Sequence, residues 1–222
     1  VANLVPKKYN FSTVKGITKK QLEEHYKLYT GYVTKVNEIW GTSVDAKSFG
    51  ESNPTFSKMR SLKLGETYAV DGVKLHQMYF ENMTGGNNKP TGGILNLIKR
   101  DFKSYENFLE YFKSVGLAMR GWAILAIDPL DNKLHVFGSD AHDVGAVWNS
   151  IPLLILDVYE HAYFMDFGTD RKKYIDTFIG NINWQVVNDR LKKYNMIKTV
   201  MVSLRTLDNT SIYPIWNLSD NE

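Results

Sequence analysis

Asp157-Val158-Tyr159-Glu160-His161-Ala162-Tyr163 is the stretch from which the rest of the chain is best read. The apolar run Ile151–Leu156 leads into it, with Pro152 near its start. A short run rich in Ile and Leu, closed by a polar residue, predicts a buried strand. A carboxylate stands where the run stops, and an imidazole follows four residues later. A charged Asp beside a core strand is costly to bury without a partner. A bound cation is one such partner, and Asp oxygen with His nitrogen suits borderline metals such as iron, manganese or zinc. The same spacing also fits an Asp that caps a helix with a surface His beyond it. On these residues alone both readings stand.

Composition narrows the field around that stretch. The chain has 222 residues, 43% of them hydrophobic, enough for one large domain or two small ones. A net charge of +3, with acids and bases interspersed, is too mild to indicate nucleic acid. There is no cysteine, so disulfides and thiolate metal sites are excluded, and any metal must be held by His, Asp, Glu or another nitrogen or oxygen ligand. No apolar run is long enough to span a membrane. Val1-Ala2-Asn3 does not resemble a signal peptide and lacks Met, which suggests a removed start and a cytoplasmic protein.

Working outward toward the N-terminus, residues 1–16 read as a Lys-rich surface arm. Thr18 and Gln21 form a capping-box pattern, so a helix is expected to run to about Trp40. Its apolar stripe is Leu22, His25, Tyr29, Tyr32, Val36 and Ile39, at steps of three and four. A second helix is expected over about Ala69–Met83, with His76 on the face of Val73, Tyr79 and Phe80. Gly85-Gly86-Asn87-Asn88-Lys89-Pro90 reads as a linker. It divides the chain into a helical hairpin over 1–86 and a second domain over 91–222. In that second part, helical patterns cover Gly92–Asp101 and Ser104–Met119. Gly121–Ile127 and Lys133–Ser139 read as a β-hairpin, and Ile151–Val158 as a third strand. Helices are expected over Tyr174–Ile182 and Trp184–Tyr194, with Asn183 as the cap between them. The tail, 195–222, carries no assignment. The fold class that results is α+β: an N-terminal helical hairpin, then an α/β domain with a small three-stranded antiparallel sheet.

The five histidines are His25, His76, His135, His142 and His161. Two lie on inward helical stripes and one follows the strand-end Asp157. Three imidazoles and one carboxylate complete a mononuclear site with a position left open for solvent or substrate.

The residues then carry a specific resemblance. Asp157-Val158-Tyr159-Glu160-His161-Ala162-Tyr163-Phe164 resembles the signature of the iron/manganese superoxide dismutases, with Tyr159 where a Trp is usual. The similarity extends over roughly 16–193. It includes Leu22-Glu23-Glu24-His25-Tyr26, His76-Gln77-Met78-Tyr79-Phe80, Arg120-Gly121-Trp122-Ala123 and the Asn183-Trp184 pair. The resemblance implies one Fe or Mn ion per subunit, held by His25, His76, Asp157 and His161 with a solvent molecule as fifth ligand. It implies that Tyr32 is the pocket tyrosine and that Trp122, Tyr159 and Phe80 are aromatic walls. It implies a homodimer or homotetramer in which Glu160 reaches the partner subunit's His161, with Tyr163 at the same interface. The activity implied is conversion of superoxide to O2 and H2O2 by one-electron cycling of the metal. A metal-binding homologue without turnover and a non-haem iron oxygenase built on two His and a carboxylate are the alternatives.

Two departures from the family pattern bear on the site. Members hold the metal's solvent with a Gln, placed either four residues before the second ligand His or on the hairpin. Here Gly72 fills the first place, and His142 aligns with the second. The first ligand and the pocket Tyr are usually eight residues apart, whereas His25 and Tyr32 are seven apart. Seven residues of regular α-helix bring two side chains within about 20° of one another. A regular helix without a bulge is therefore expected, with His25 rather than Glu24 on the metal. Tyr29 falls where other members often carry a His that bonds the partner's tyrosine. His135 has no counterpart role and is expected to be structural or exposed.

Overall fold

The computed structural model describes residues 3–83 and 89–207. Helix α1 (Lys19–Trp40) and helix α2 (Lys58–Asn82) form a hairpin. Then come α3 (Gly92–Phe102) and α4 (Tyr105–Ala118), followed by strands β1 (Trp122–Asp128), β2 (Lys133–Ser139) and β3 (Ile151–Asp157). A short helix α5 (Phe164–Phe167), α6 (Arg171–Gly180) and α7 (Trp184–Leu207) complete the described chain. The class is α+β, as the sequence patterns imply. None of the described helices is long and apolar enough to cross a membrane.

Helix α1 begins as expected, with Thr18 Oγ1 accepting the Gln21 amide at 3.2 Å. The reciprocal half of the capping box does not form. The Thr18 amide donates to Asp166 instead, and the Gln21 side chain turns inward, where it is fully buried. Helix α2 starts eleven residues earlier than its apolar stripe indicates. Ser57 caps it by accepting the Arg60 amide, and its first turns, being largely exposed, carry no stripe to reveal them. Helix α7 likewise runs past Tyr194, since no Gly or Pro interrupts 195–207. Asn183 Oδ1 accepts the Gln185 amide at 3.1 Å and serves as the cap between α6 and α7. Most of the predicted linker, and the tail beyond Leu207, lie outside the described residues.

The sheet is antiparallel throughout, in the order β2-β1-β3. Strand β3 is an edge, which is where Pro152 can sit without breaking a ladder; the register shifts at Leu125/Ala126 opposite it. An edge strand exposes unpaired carbonyls. Here two of them are satisfied by side chains: Asn82 Nδ2 donates to Ile155 O at 2.6 Å, and an Arg190 guanidinium nitrogen donates to Leu153 O at 2.8 Å. With α2 and α7 packed against it, β3 is buried from Leu153 to Asp157 on both faces. That burial explains why its sequence is a continuous apolar run rather than an alternating one.

The segment before α1 lies on the surface, as expected, and is tied down there. The Lys7 amide donates to Tyr29 Oη at 2.9 Å, Leu4 pairs with the Asn37 side chain, and Tyr9 and Phe11 pack on Phe80.

Candidate metal centre

Each of the expected ligands reaches one point from a different element. His25 stands on the inner face of α1 and His76 on that of α2. Asp157 ends β3, opposite Trp122 of β1, and His161 lies in the 3-10 turn that follows. The four offer donor atoms within 4.8 Å of one another. His25, His76 and Asp157 are buried, and the His161 side chain keeps 28% exposure.

The detailed geometry fits a cation. Asp157 Oδ2 lies 3.0 Å from His25 Nε2, 3.3 Å from His161 Nε2 and 3.7 Å from His76 Nε2. Donors bonded at ~2.1 Å to one ion and separated by 90–120° stand about 3.0–3.6 Å apart. His76 Nδ1 donates to the Gly72 carbonyl at 2.6 Å, so the neutral ring turns a lone pair at Nε2 toward the carboxylate. That Nε2 has no hydrogen-bond partner. Two lone pairs so aimed repel each other unless a positive ion lies between them. A facial triad needs three donors; here a fourth converges with them.

Electrostatics prepare the same state. Burial, reinforced by the neighbouring His25, pushes His76 down to about 3, so the ring is neutral. Burial also lowers His25, against the pull of Asp157. For Asp157, burial favours the neutral acid, but the imidazoles of His161 and His25 outweigh it and hold the carboxyl well below the usual range. Burial would lower His161 too, yet Asp157 holds it above its ordinary value. A metal takes neutral imidazoles and an ionised carboxylate. The shifts on His25, His76 and Asp157 run toward that state, and the shift on His161 runs against it.

The expected pocket residues gather around the cluster. His142 is buried; its Nδ1 accepts the Trp122 indole N–H at 3.1 Å, and its Nε2 lies 2.7 Å from Tyr32 Oη. Burial lowers His142 to about 4, so it is neutral with its single proton on Nε2, donated to Tyr32. Gly72 makes room for this pair. A Cβ there would meet Tyr32 at 3.0 Å and His142 at 3.2 Å. The Trp122 ring lies edge-on to His76 at 5.1 Å, Phe80 edge-on to His25 at 5.1 Å, and Tyr159 stacks on His161 at 5.0 Å.

Helix α1 is α-helical from end to end, with no bulge between His25 and Tyr32. Glu24 faces outward and pairs with Lys27. Tyr29 is buried within its own subunit, where its hydroxyl accepts from the Lys7 amide and from Gln77 Nε2. His135 lies at the surface, 3.0 Å from Asp131. Glu160 is exposed.

Sequence reasoning missed three supports. Gln21 Nε2 donates to the His161 carbonyl at 2.7 Å, while its Oε1 accepts the Met165 amide. Tyr174 Oη donates to the Asp157 carbonyl at 2.7 Å and bonds Tyr79 Oη at 3.0 Å. Tyr68, on α2, packs against His142 at 4.5 Å between ring centroids. Gln21 was hidden by its capping pattern. Tyr79 and Tyr174 read as ordinary core aromatics.

Similarity to known proteins agrees with this geometry. The family model described as iron/manganese superoxide dismutases, C-terminal domain, matches residues 90–190. The chain is 40% identical over 184 residues to the iron superoxide dismutase of Aquifex pyrophilus, covering 81% of this chain and 86% of that one. The same values hold for the iron enzyme of Aquifex aeolicus. It is 31% identical over 193 residues to manganese superoxide dismutase 1 of Halobacterium salinarum, covering 86% of this chain and 94% of that one. With His25, His76, Asp157 and His161 gathered as a single metal site, the chain belongs to the iron/manganese superoxide dismutase family.

Proposed function

We propose that in this dismutase the Tyr32–His142 pair does the proton work that a glutamine shares in other members, with the metal site completed by a second subunit. The reaction converts superoxide to O2 and H2O2. Bound by His25, His76, Asp157 and His161, iron or manganese supplies one-electron cycling between its divalent and trivalent states. Asp157 contributes the one fixed negative charge among the ligands and so biases that cycle. His76 is oriented by its bond to the Gly72 carbonyl.

Tyr32 Oη receives the His142 proton as a hydrogen bond, which leaves its own hydrogen free to face the pocket. Burial and hydrogen bonding hold the Tyr32 phenol above its ordinary value, so the proton stays on until a stronger base takes it. Trp122 locks the His142 tautomer and, with Phe80, excludes water from the ligand side. The short Tyr32–His142 contact, built over a Gly72 that has no side chain, carries this reading.

Glu160 is assigned to the partner subunit's His161. Three features support the assignment: Glu160 is exposed, it directly precedes a ligand, and the ligand's ring is itself partly exposed. The resulting assembly is a homodimer, or a tetramer built from it.

The test is elemental analysis of protein produced with both metals available, together with superoxide-dependent turnover. About one ion per chain with turnover is expected. Metal without turnover would indicate a binding homologue, and protein without metal would sink the reading. The His142→Ala variant should keep its metal and lose turnover by ~10²-fold or more. Equal activity in that variant would discard the role of His142.

A further inference from the structure

The four ligands are not held equally by their own elements. His25 and His76 stand within helices of 22 and 25 residues. Asp157 lies in the β1–β3 ladder, and its Oδ1 accepts the Tyr159 amide at 2.9 Å. His161 has only a three-residue 3-10 turn without a side-chain cap. Tyr163, at φ −147° and ψ −16°, parts that turn from α5. In an unbroken α-helix the His161 carbonyl would accept the Met165 amide, four residues on. Here the Gln21 carboxamide serves both groups instead. Its Nε2 donates to the His161 carbonyl at 2.7 Å, and its Oε1 accepts the Met165 amide at 3.1 Å. A carboxamide offers the same donor and acceptor as a peptide unit, so it can stand in for the missing main-chain bond.

An exchange between two elements frees Gln21 for this task. As the third residue of α1 it would ordinarily reach back to the Thr18 amide. Asp166 of α5 takes that amide at 2.6 Å and the Thr18 hydroxyl at 2.8 Å. Gln21 is fully buried, and both ends of its amide are satisfied, as burial demands. It also stands one turn before His25, on the same face of α1. One face of one helix therefore presents the His25 ring and the group that holds the turn of His161. The two rings lie 4.9 Å apart between centroids.

We propose that Gln21 is a positioning residue of the metal centre: its carboxamide, lodged between the His161 carbonyl and the Met165 amide, keeps the ligand turn open and sets where His161 stands relative to His25. Gln21 acts only through His161. With the amide gone, the two main-chain groups can bond each other, which draws the turn toward a continuous helix and moves the His161 ring relative to Asp157. This role presupposes the ligand set described above and is independent of the Tyr32–His142 pair.

Gln21→Met keeps a long, flexible side chain in the site and removes both hydrogen-bonding groups. Arg190→Ala is the control, a destabilising change whose hydrogen bonds reach α2 and β3 and include no ligand. In iron-loaded protein, Gln21→Met should shift the rhombicity of the high-spin ferric EPR signal. It should also release iron to excess chelator ~10-fold faster or more. Arg190→Ala should leave the EPR signal as in wild type. If Gln21→Met does not fold, Gln21→Asn, whose carboxamide is drawn back by one methylene, makes the same comparison with the same expected result. An EPR signal unchanged from wild type would overturn the proposal, whatever the release rate. So would an equal shift in Arg190→Ala, which would reduce the effect to general loosening of the fold. Wild-type protein that takes up neither iron nor manganese would sink the ligand set itself, whereas a loaded wild type beside an unaffected Gln21 variant sinks only the role of Gln21.

Discussion

Gly72 is a residue whose meaning lies in what it lacks. Its backbone is helical and needs no glycine, yet Tyr32 and His142 approach within 3.0 and 3.2 Å of the position a Cβ would take. Both are held where they are, Tyr32 by His142 and His142 by Trp122. Gly31, on α1, has nothing within 4 Å of its Cβ position. The same substitution should therefore act in opposite directions at the two sites. Gly31→Ala should stabilise by about 0.5–1 kcal/mol, the helix-propensity gain. Gly72→Ala gains that too, but overpacking costs about 1–3 kcal/mol, so net destabilisation is expected. Urea midpoints of the metal-free variants check the signs; stabilisation by Gly72→Ala would mean the Tyr32–His142 pair yields easily. For the ligands, His76→Ala should weaken metal binding by more than the ~10–100-fold typical of losing a supporting residue. Unchanged metal content by elemental analysis would place the site elsewhere. At this scale the sequence was legible where a residue's chemistry matched its position on a stripe, as with His25 and His76. It was not where one side chain could satisfy two patterns. Gln21 fits a capping box, and only the fold reveals that it holds the His161 carbonyl instead.

Among the elements, packing against the sheet decides what can be read. Strand β3 announced itself because helices cover it on both sides and force an apolar run. The first turns of α2 and the far half of α7 did not, because exposed helix needs no periodic pattern. One residue joins these elements. The Arg190 guanidinium, on α7, donates to the Met78 carbonyl, to the Asn82 side chain and to Glu81 on α2, and to the Leu153 carbonyl on β3. Arg190→Ala would leave those partly buried acceptors short of a charged donor, at a cost of about 1–3 kcal/mol. A midpoint shift below ~0.5 kcal/mol would show that water replaces it. Glu81 gives the arrangement a pH signature. Burial raises its pKa, but the bonds from Arg190 and Lys7 outweigh this and hold it below the ordinary carboxylate value. A folded pKa below the unfolded one stabilises the fold above the unfolded value, near ~4.3, and that stability is lost as pH falls through the folded value. The metal-free protein should lose stability over that acid window. Glu81→Gln should show a shallower loss there, and an identical slope would count against the assignment.

For the whole molecule, the metal site is the seam. Two ligands come from the helical hairpin and two from the end of β3 and the turn beyond it, so a bound ion would join the two parts in addition to α2 packed on β3. That arrangement was visible in the sequence because the Asp157–Phe164 stretch carries the family resemblance that implies the ligand set, with His25 and His76 also turned inward by helical period, while oligomeric association leaves no such pattern. The surface beside the site supplies the argument for it. His161 Nε2 is turned to Asp157, and the ring keeps 28% exposure. A metal-bound His normally gives its other N–H to an acceptor, which fixes ring and tautomer. His76 has the Gly72 carbonyl for this. His161 has no such acceptor among the described residues of its own chain. Glu160 is exposed beside it, and Phe164 and Met165, 50% and 51% exposed, follow within four residues. Exposed apolar side chains around an unpartnered ligand suit a two-fold interface that lends each His161 the partner's Glu160. Sedimentation at micromolar concentration should give a dimer or a tetramer. Glu160→Ala should shift it toward smaller species and weaken metal retention ~10–100-fold, the loss expected when a proposed partner of a ligand is removed. A wild-type monomer that is fully metallated and active would refute this, as would a Glu160→Ala variant with unchanged assembly and unchanged metal affinity.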